Sequence, residues 1–210
     1  MLVTQIKPEK EILERISGKN VFVFVCPGCR EVYFPQEKVE EFIQSLPADR
    51  VRSANLDYLC NREFVREYVQ GYSSEIERAD AVLVFSCGVG TQVISSLLEN
   101  KIVYAGCDTL YLDGFQGLTV QNFNCDQCGE CYLNHTGGIC PVTHCAKGLI
   151  NGPCGGAKDG KCEVNPDADC AWILIYKRLK KLGKLHLLKE ILPARDYHKI
   201  ITESLARKKL

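Results

Sequence analysis

Cysteine is the residue type in this chain with the most potential for chemistry. The 210 residues include 13 cysteines, and eight of them lie between residues 125 and 170, in a stretch that opens with the spacing C-x2-C-x2-C. Three thiolates at this spacing share one short loop, which is how one corner of a cubane iron–sulfur cluster is bound. We therefore predict two [4Fe-4S] clusters here. The preferred pairing assigns Cys125, Cys128, Cys131 and Cys170 to one cluster, and Cys140, Cys145, Cys154 and Cys162 to the other.

Two other uses of these cysteines have to be weighed. Disulfides are disfavoured because the N-terminal residues MLVTQIKPEKEILERI are charged and lack the apolar core of a signal peptide, which predicts a reducing compartment. Structural zinc remains the alternative, since four thiolates also suit tetrahedral zinc. Zinc ribbons usually supply two C-x2-C pairs per metal, however, and no second close pair follows the triple. His135 and His144 could each replace a thiolate, but eight cysteines already suffice for two sites.

Five further cysteines lie in the N-terminal half, near the ends of predicted strands. Ligands of open α/β sheets bind outside the carboxyl ends of the strands, and all five fall on that edge. We therefore predict a third cluster or metal site. Its preferred ligands are Cys26, Cys29, Cys60 and Cys87, with Cys107 as the spare.

Alternating strand and helix patterns position these cysteines. Apolar runs predict strands over residues 21–25, 50–56, 81–86 and 102–106, and helical periodicity predicts helices over 8–17, 35–46 and 89–99. Asn61 is expected to cap a further helix that ends near Gly71, with Phe64 on its buried face, and Leu13 is expected to share a buried face with Ile16. The fold class is α/β, with a small open parallel sheet of Rossmann or flavodoxin type.

A nucleotide-binding site is the rival interpretation at the same sheet edge. Gly88 and Gly90 follow a strand and open a helix, where backbone N–H groups could bind a phosphate. Asp108 is near the position of a ribose-binding acid. Val93 replaces the third glycine of the fingerprint, so we prefer to assign the glycines to close backbone packing.

The C-terminal half is expected to hold little regular structure before its final helices. We predict an α/β domain over residues 1–117 and an irregular cysteine-rich metal-binding domain over 118–210, joined by a linker at 110–124. Asp169 should cap a helix over 170–182 whose basic residues Lys177, Arg178, Lys180 and Lys181 are solvated or contact a partner. A further helix is expected near 196–207.

Charge and hydropathy exclude two classes of partner. Lys plus Arg and Asp plus Glu both number 26, so the chain lacks the basic surplus expected of a nucleic-acid-binding protein. No apolar run approaches the roughly 18 residues that indicate a membrane span. We expect a cytoplasmic protein.

The motif GGICPVTHCAKGLINGPCGG, followed by GKCEVNPDADCAWILIYKRLKKLG, resembles the C-terminal cysteine-rich domain associated with methylenetetrahydrofolate reductases. With an α/β half in front, the chain is similar to the small iron–sulfur subunit of that enzyme. The resemblance implies a role in electron transfer to the FMN of a catalytic partner subunit, which reduces 5,10-methylenetetrahydrofolate to 5-methyltetrahydrofolate in one-carbon and acetyl-CoA metabolism. The electron donor would be ferredoxin or a nicotinamide-oxidising subunit, and the isolated chain would not be catalytic. A zinc-binding scaffold of the same reductase is the second hypothesis, and a nucleotide-binding enzyme the third.

Overall fold

The computed structural model describes residues 2–29, 32–110 and 125–197. Its strands are β1 (Leu2–Ile6), β2 (Val21–Val25), β3 (Val32–Tyr33), β4 (Val51–Asn55), β5 (Ala81–Phe85), β6 (Ile102–Ala105) and β7 (Cys107–Leu110). Its α-helices are α1 (Glu9–Ile16), α2 (Gln36–Ser45), α3 (Arg62–Gly71), α4 (Ser73–Arg78), α5 (Gly88–Leu97), α6 (Leu133–Thr136), α7 (Pro141–His144) and α8 (Ala171–Lys181). A 3-10 helix spans Leu185–Lys189.

The central sheet has four parallel strands in the order β4-β2-β5-β6. All side chains of β2 and β5 are buried, because these two inner strands are covered on both faces. The four predicted strands are confirmed to within one residue at each end, and so is the α/β class with a parallel sheet. Because the strands are parallel, their carboxyl ends meet at one edge.

Two apolar clusters cover the two faces of this sheet. Phe22 and Phe24 of β2 pack in the cluster that includes Val65 of α3 and Val93 of α5. The alternate residues of β2 pack in a second cluster, with α1 and α2. Successive side chains of a strand point to opposite faces, so the continuous apolar run VFVFV contributes to both clusters.

Two residues predicted to be buried are exposed. Leu13 is 42% exposed, because Ile12 and Ile16 are the residues of α1 that face the sheet. Phe64 is 43% exposed, whereas its neighbour Val65 is fully buried. Both errors come from choosing the buried helix face by hydrophobicity alone. Adjacent residues of a helix point about 100° apart, so the neighbour of a buried residue can face solvent.

A second, smaller sheet was not predicted. It has the order β3-β1-β7, with β1 parallel to β3 and antiparallel to β7. The β1 sequence LVTQI mixes polar and apolar residues and gives no strong strand signal. The register places Ile6 opposite Cys107 and Gln5 opposite Asp108. This sheet therefore connects the N-terminus with the residues that precede the cysteine-rich segment.

The cysteine-rich segment consists of turns and two short helices, α6 and α7, as its glycine content suggested. Helix α6 packs against the central sheet. The side chain of its Asn134 accepts a hydrogen bond from the backbone N–H of Ala105 at 2.6 Å and donates one to the carbonyl of the same residue at 3.2 Å. Gly138 then passes so close to α5 that a Cβ atom there would lie 1.8 Å from Ser95 Oγ. The segment is thus packed directly on the α/β half.

The long C-terminal helix begins one residue later than predicted. Cys170, not Asp169, occupies the N-cap position of α8, and no side chain caps this end. The Asp169 carboxylate instead contacts Lys161 Nζ at 2.7 Å, and these two residues also form a backbone bridge. That ion pair holds Asp169 away from the helix N–H groups. The predicted end of the helix at Gly183 is confirmed by the positive φ of 65° at that residue.

Arg178 ties α8 to α5 instead of lying on a solvated face. Its guanidinium donates hydrogen bonds to the carbonyl oxygens of Gly137, Ser95, Leu98 and Lys101 at 3.0–3.2 Å. Burial lowers the pKa of this guanidinium. Three of the four acceptors are at or just beyond the C-terminal end of α5, where orphan carbonyls attract a cation.

Some predictions concern residues outside the described ranges. They are the boundary at residue 117, most of the linker at 110–124 and most of the helix near 196–207. Across residues 2–29, 32–110 and 125–197, no helix combines the length and the apolar character that a bilayer crossing requires.

Candidate metal centres

Four cysteines gather at the carboxyl edge of the parallel sheet, and we call them group A: Cys26, Cys29, Cys60 and Cys87. Cys26 directly follows β2, and its N–H donates to the carbonyl of Phe85 at the end of β5. Cys87 follows β5 and is the N-cap residue of α5, and Cys60 precedes α3. Cys26, Cys60 and Cys87 pack in the same cluster of side chains. Cys29 lies near enough to raise the pKa of each of these three, so the structure brings together the four residues that the sequence selected.

Two polar side chains fix the loops that carry group A. The carboxylate of Asp57 accepts the N–H of Gly28 at 2.8 Å, which ties the Cys26–Cys29 turn to the loop after β4. Asn61 caps α3 by accepting the N–H groups of Glu63 and Phe64, as predicted. Its own N–H donates to the carbonyl of Tyr58, which has a positive φ of 55°. The position of Cys60 is therefore set by the turn on one side and the cap on the other.

Burial dominates the electrostatics of group A. Burial and, after it, nearby thiols raise the pKa of Cys26 to about 12 and that of Cys60 to about 11. Burial likewise raises the pKa of Cys87, although the N–H groups of Gly90 and Val89 lower it. Without a cation these thiols stay protonated at neutral pH. A bound metal would compensate their mutual repulsion and deprotonate them.

The second set, group B, comprises Cys125, Cys128, Cys131 and Cys140. Burial raises the pKa of Cys125, and its thiol lies close enough to Cys140, Cys128 and Cys87 for each to raise that pKa further. Cys128 is similarly affected by burial and by Cys140, and Cys131 by burial and by Cys125. We therefore group Cys140 with the cysteine triple.

Groups A and B adjoin each other at the N-terminus of α5. A Cβ atom at Gly88 would lie 2.9 Å from Cys125 Sγ, so only glycine lets this thiol approach the helix. Cys87, which belongs to group A, immediately precedes Gly88. The N-terminal turn of one helix therefore separates the two thiol groups.

The third set, group C, comprises Cys145, Cys154, Cys162 and Cys170. These residues line a small cavity of about 20 Å³ together with Trp172. Backbone N–H groups point at its sulfur atoms. Gly156 N–H donates to Cys154 Sγ at 3.4 Å, and the N–H groups of Asn165, Val164 and Ala146 lower the pKa of Cys162. Such hydrogen bonds stabilise thiolates and help to set the reduction potential of a bound cluster.

This grouping exchanges two residues relative to the preferred pairing. Cys170 lies with group C because its N–H donates to the carbonyl of Gly160 at 2.8 Å, inside the loop between Cys154 and Cys162. Cys140 lies near Cys125 and Cys128. Chain order alone gave no reason to place Cys140 with the triple, because eight residues separate it from Cys131.

The remaining cysteine, Cys107, is a core residue. It begins β7, is 1% exposed and packs in the apolar cluster of α1 and α2. Burial raises its pKa. The assignment of Cys107 as the spare stays a prediction.

The donor sets fit iron–sulfur clusters in their chemistry, since each group offers four thiols and groups A and C also direct backbone N–H groups at sulfur. In the part of the chain that the structure describes, no group of three or more His, Cys, Asp or Glu side chains is arranged to hold a metal ion, so the thiol groups are candidate sites by donor type and proximity. His135 lies apart from the thiols, with its Nδ1 3.3 Å from a carboxylate oxygen of Glu190.

Gly88 and Gly90, which the rival interpretation assigned to a nucleotide site, instead make close contacts within the protein. The N–H of Gly88 donates to Thr109 Oγ1 at 2.9 Å. A Cβ atom at Gly90 would lie 2.7 Å from Ser86 Oγ. Asp108 is also engaged, because its carboxylate contacts Lys7 and accepts the N–H of Cys131. The helix end that would have to bind a phosphate is therefore filled by the protein itself.

Comparison with known proteins gives one match. Residues 104–198 match a family model described as the C terminal of methylene-tetrahydrofolate reductase. No curated protein and no solved structure matches the chain. The matched segment contains groups B and C. Group A lies before it.

Proposed function

We propose that this protein is an electron-transfer subunit of a methylenetetrahydrofolate reductase complex. In this role groups B and C each hold a [4Fe-4S] cluster, and group A holds a third. The partner is a flavin-containing catalytic subunit, whose FMN receives the electrons and reduces 5,10-methylenetetrahydrofolate to 5-methyltetrahydrofolate. Ferredoxin or a nicotinamide-oxidising subunit is the donor, and the cytoplasm is the expected compartment.

The observation that carries this proposal is the proximity of cysteines to one another in three places, two of them inside the segment that matches the reductase family model. Four thiolates are the usual ligand set of a [4Fe-4S] cluster. In this role the cysteines bind the clusters and set their reduction potentials. The flavin of the partner subunit carries out the reduction of the folate.

The protein itself would determine the positions of the clusters and the polarity of their surroundings. Bound clusters accept and donate single electrons, and the chain determines where they lie and how readily they are reduced. The contact between Gly88 and Cys125 places groups A and B side by side. Backbone N–H groups at Cys154 and Cys162 stabilise negative charge on the sulfurs of group C. This arrangement suits stepwise electron transfer.

Metal analysis of anaerobically purified protein is the direct test. We expect a brown protein with about twelve irons and matching sulfide per chain, as three [4Fe-4S] clusters require. Cys128→Ser, Cys154→Ser and Cys60→Ala should each remove about four irons. Cys107→Ala is the matched control, because this cysteine is buried but belongs to no group.

The results distinguish the alternatives. A colourless protein with only zinc would replace the electron-transfer role by that of a zinc-stabilised scaffold. Unchanged iron in Cys60→Ala, with iron lost in the other two variants, would restrict the clusters to groups B and C. Iron loss in Cys107→Ala would show that the assignment of this cysteine to the core is wrong.

A further inference from the structure

A lysine is buried beside group B. Lys7 follows β1 and has a side chain that is only 4% exposed, although lysine is almost never buried without partners. Its Nζ atom lies 2.9 Å from Asp108 Oδ1 and 3.0 Å from Glu11 Oε1. Its backbone N–H donates to the carbonyl of Gly106, so the main chain is also fixed. Such a buried ion network is costly to desolvate, which calls for an explanation beyond stability.

The network leads directly to a group B cysteine. The same oxygen of Asp108 that contacts Lys7 also accepts the backbone N–H of Cys131 at 2.7 Å. One carboxylate therefore joins a buried cation to the main chain of a predicted cluster ligand. The pairing of β1 with β7 holds Lys7 and Asp108 in this position, because Gln5 lies opposite Asp108 in the ladder.

The charges around Lys7 keep it protonated. Burial alone would lower its pKa, but the carboxylates of Asp108 and Glu11, at 2.9 and 3.0 Å, raise it above the ordinary value. The lysine thus places a permanent positive charge in a water-poor region next to Cys131. Electrostatic interactions are strong there, because little solvent screens them. Net charge near a cluster is one of the factors that set its reduction potential.

We propose that Lys7, held by Asp108 against the backbone of Cys131, raises the reduction potential of the cluster bound by group B. This inference rests on the proposed function, since it requires a cluster there. Lys7 acts as a positioning residue: it does not bind the cluster but makes the reduced, more negative state more favourable. The carboxylate of Asp108 acts in the opposite direction.

A redox titration followed by electron paramagnetic resonance tests the proposal. The signal that Cys128→Ser removes identifies the group B cluster. In Lys7→Gln the midpoint of that signal should shift to a more negative potential. In Asp108→Asn it should shift to a more positive one, because the amide keeps an oxygen for the Cys131 N–H but loses the charge. Lys10→Gln is the control, because that lysine is fully solvated and its midpoint should not move.

The opposite directions of the two midpoint shifts distinguish an effect of charge from structural damage. Structural damage would shift the midpoint potential of both variants in the same direction. An unchanged or raised midpoint in Lys7→Gln would overturn the inference while the proposed function stands. Should Lys7→Gln fail to hold the cluster, Lys7→Met replaces it: a more negative midpoint supports the inference, and an unchanged or raised midpoint overturns it. Wild-type protein without iron would instead refute the proposed function, and the inference with it.

Discussion

At the scale of single residues, Gly88 shows how backbone geometry limits the space around the candidate metal sites. It opens α5 between Cys87 of group A and Cys125 of group B. A methyl group at Gly88 would occupy the space of the Cys125 thiol, because the two would be only 2.9 Å apart. The thiol therefore has to move if any side chain is introduced there.

We accordingly predict that Gly88→Ala impairs cluster binding in group B. About four irons per chain should be lost, while the iron of group C remains. Gly71→Ala is the matched control: this glycine also lies at a helix end, and a Cβ atom there has nothing within 4 Å. Iron and sulfide analysis of both variants provides the measurement. Full iron content in Gly88→Ala would show that Cys125 is not a ligand.

A second residue-level prediction concerns the exchange of Cys140 and Cys170. If Cys170 belongs to group C, the double variant Cys154→Ser/Cys170→Ser should lose no more iron than either single variant. The double variant Cys125→Ser/Cys170→Ser should lose about eight irons, because it removes ligands from two clusters. The reverse pattern would restore the pairing of Cys170 with the cysteine triple.

At the scale of elements, α8 is attached to the α/β half through Arg178. Its hydrogen bonds reach three carbonyl groups at the end of α5 and one in the turn after α6. Removing the guanidinium leaves these acceptors without their charged donor. This contact therefore connects the wall of group C with the helix between groups A and B.

Arg178→Ala should lower the free energy of unfolding by about 2–3 kcal/mol, as expected for loss of hydrogen bonds from a charged group to partly buried acceptors. Lys177→Ala, next to it on the exposed face of the helix, should change it by less than about 0.5 kcal/mol. Chemical denaturation of the metal-loaded proteins, followed by circular dichroism, provides the comparison. Equal destabilisation by the two substitutions would contradict the structural role of Arg178.

The same scale shows what could be predicted from sequence and why. The strands at 21–25 and 81–86 are continuous apolar runs, so their burial followed directly from composition. The small sheet was missed because β1 owes its position to pairing with β7 and not to its own pattern. The twelve cysteines could be selected by type and spacing, but Cys140 and Cys170 could only be assigned once the Gly160 loop was placed. Lys7 gave no signal, because its burial depends on Asp108, which is 101 residues away.

At the scale of the whole molecule, the proposed function predicts a division of labour. The isolated chain should show no methylenetetrahydrofolate reductase activity, because the flavin belongs to the partner. In the complex, Cys128→Ser should abolish turnover driven by ferredoxin or reduced nicotinamide. Turnover with a dye that reduces the flavin directly should decrease far less. Flavin binding and folate reduction by the isolated chain would refute this assignment.

The close approach of Gly88 to Cys125 also bears on whether the segment of residues 104–198 can be separated from the rest of the chain. The segment similar to the reductase C terminus begins at residue 104, yet one wall of its first thiol group is the start of α5, upstream of that boundary. Excising residues 104–198 or fusing them to another protein would uncover the Cys125 side of group B. Such a transplanted fragment would lose this cluster to air sooner than the intact chain, unless its new host provided a similar glycine-initiated helix.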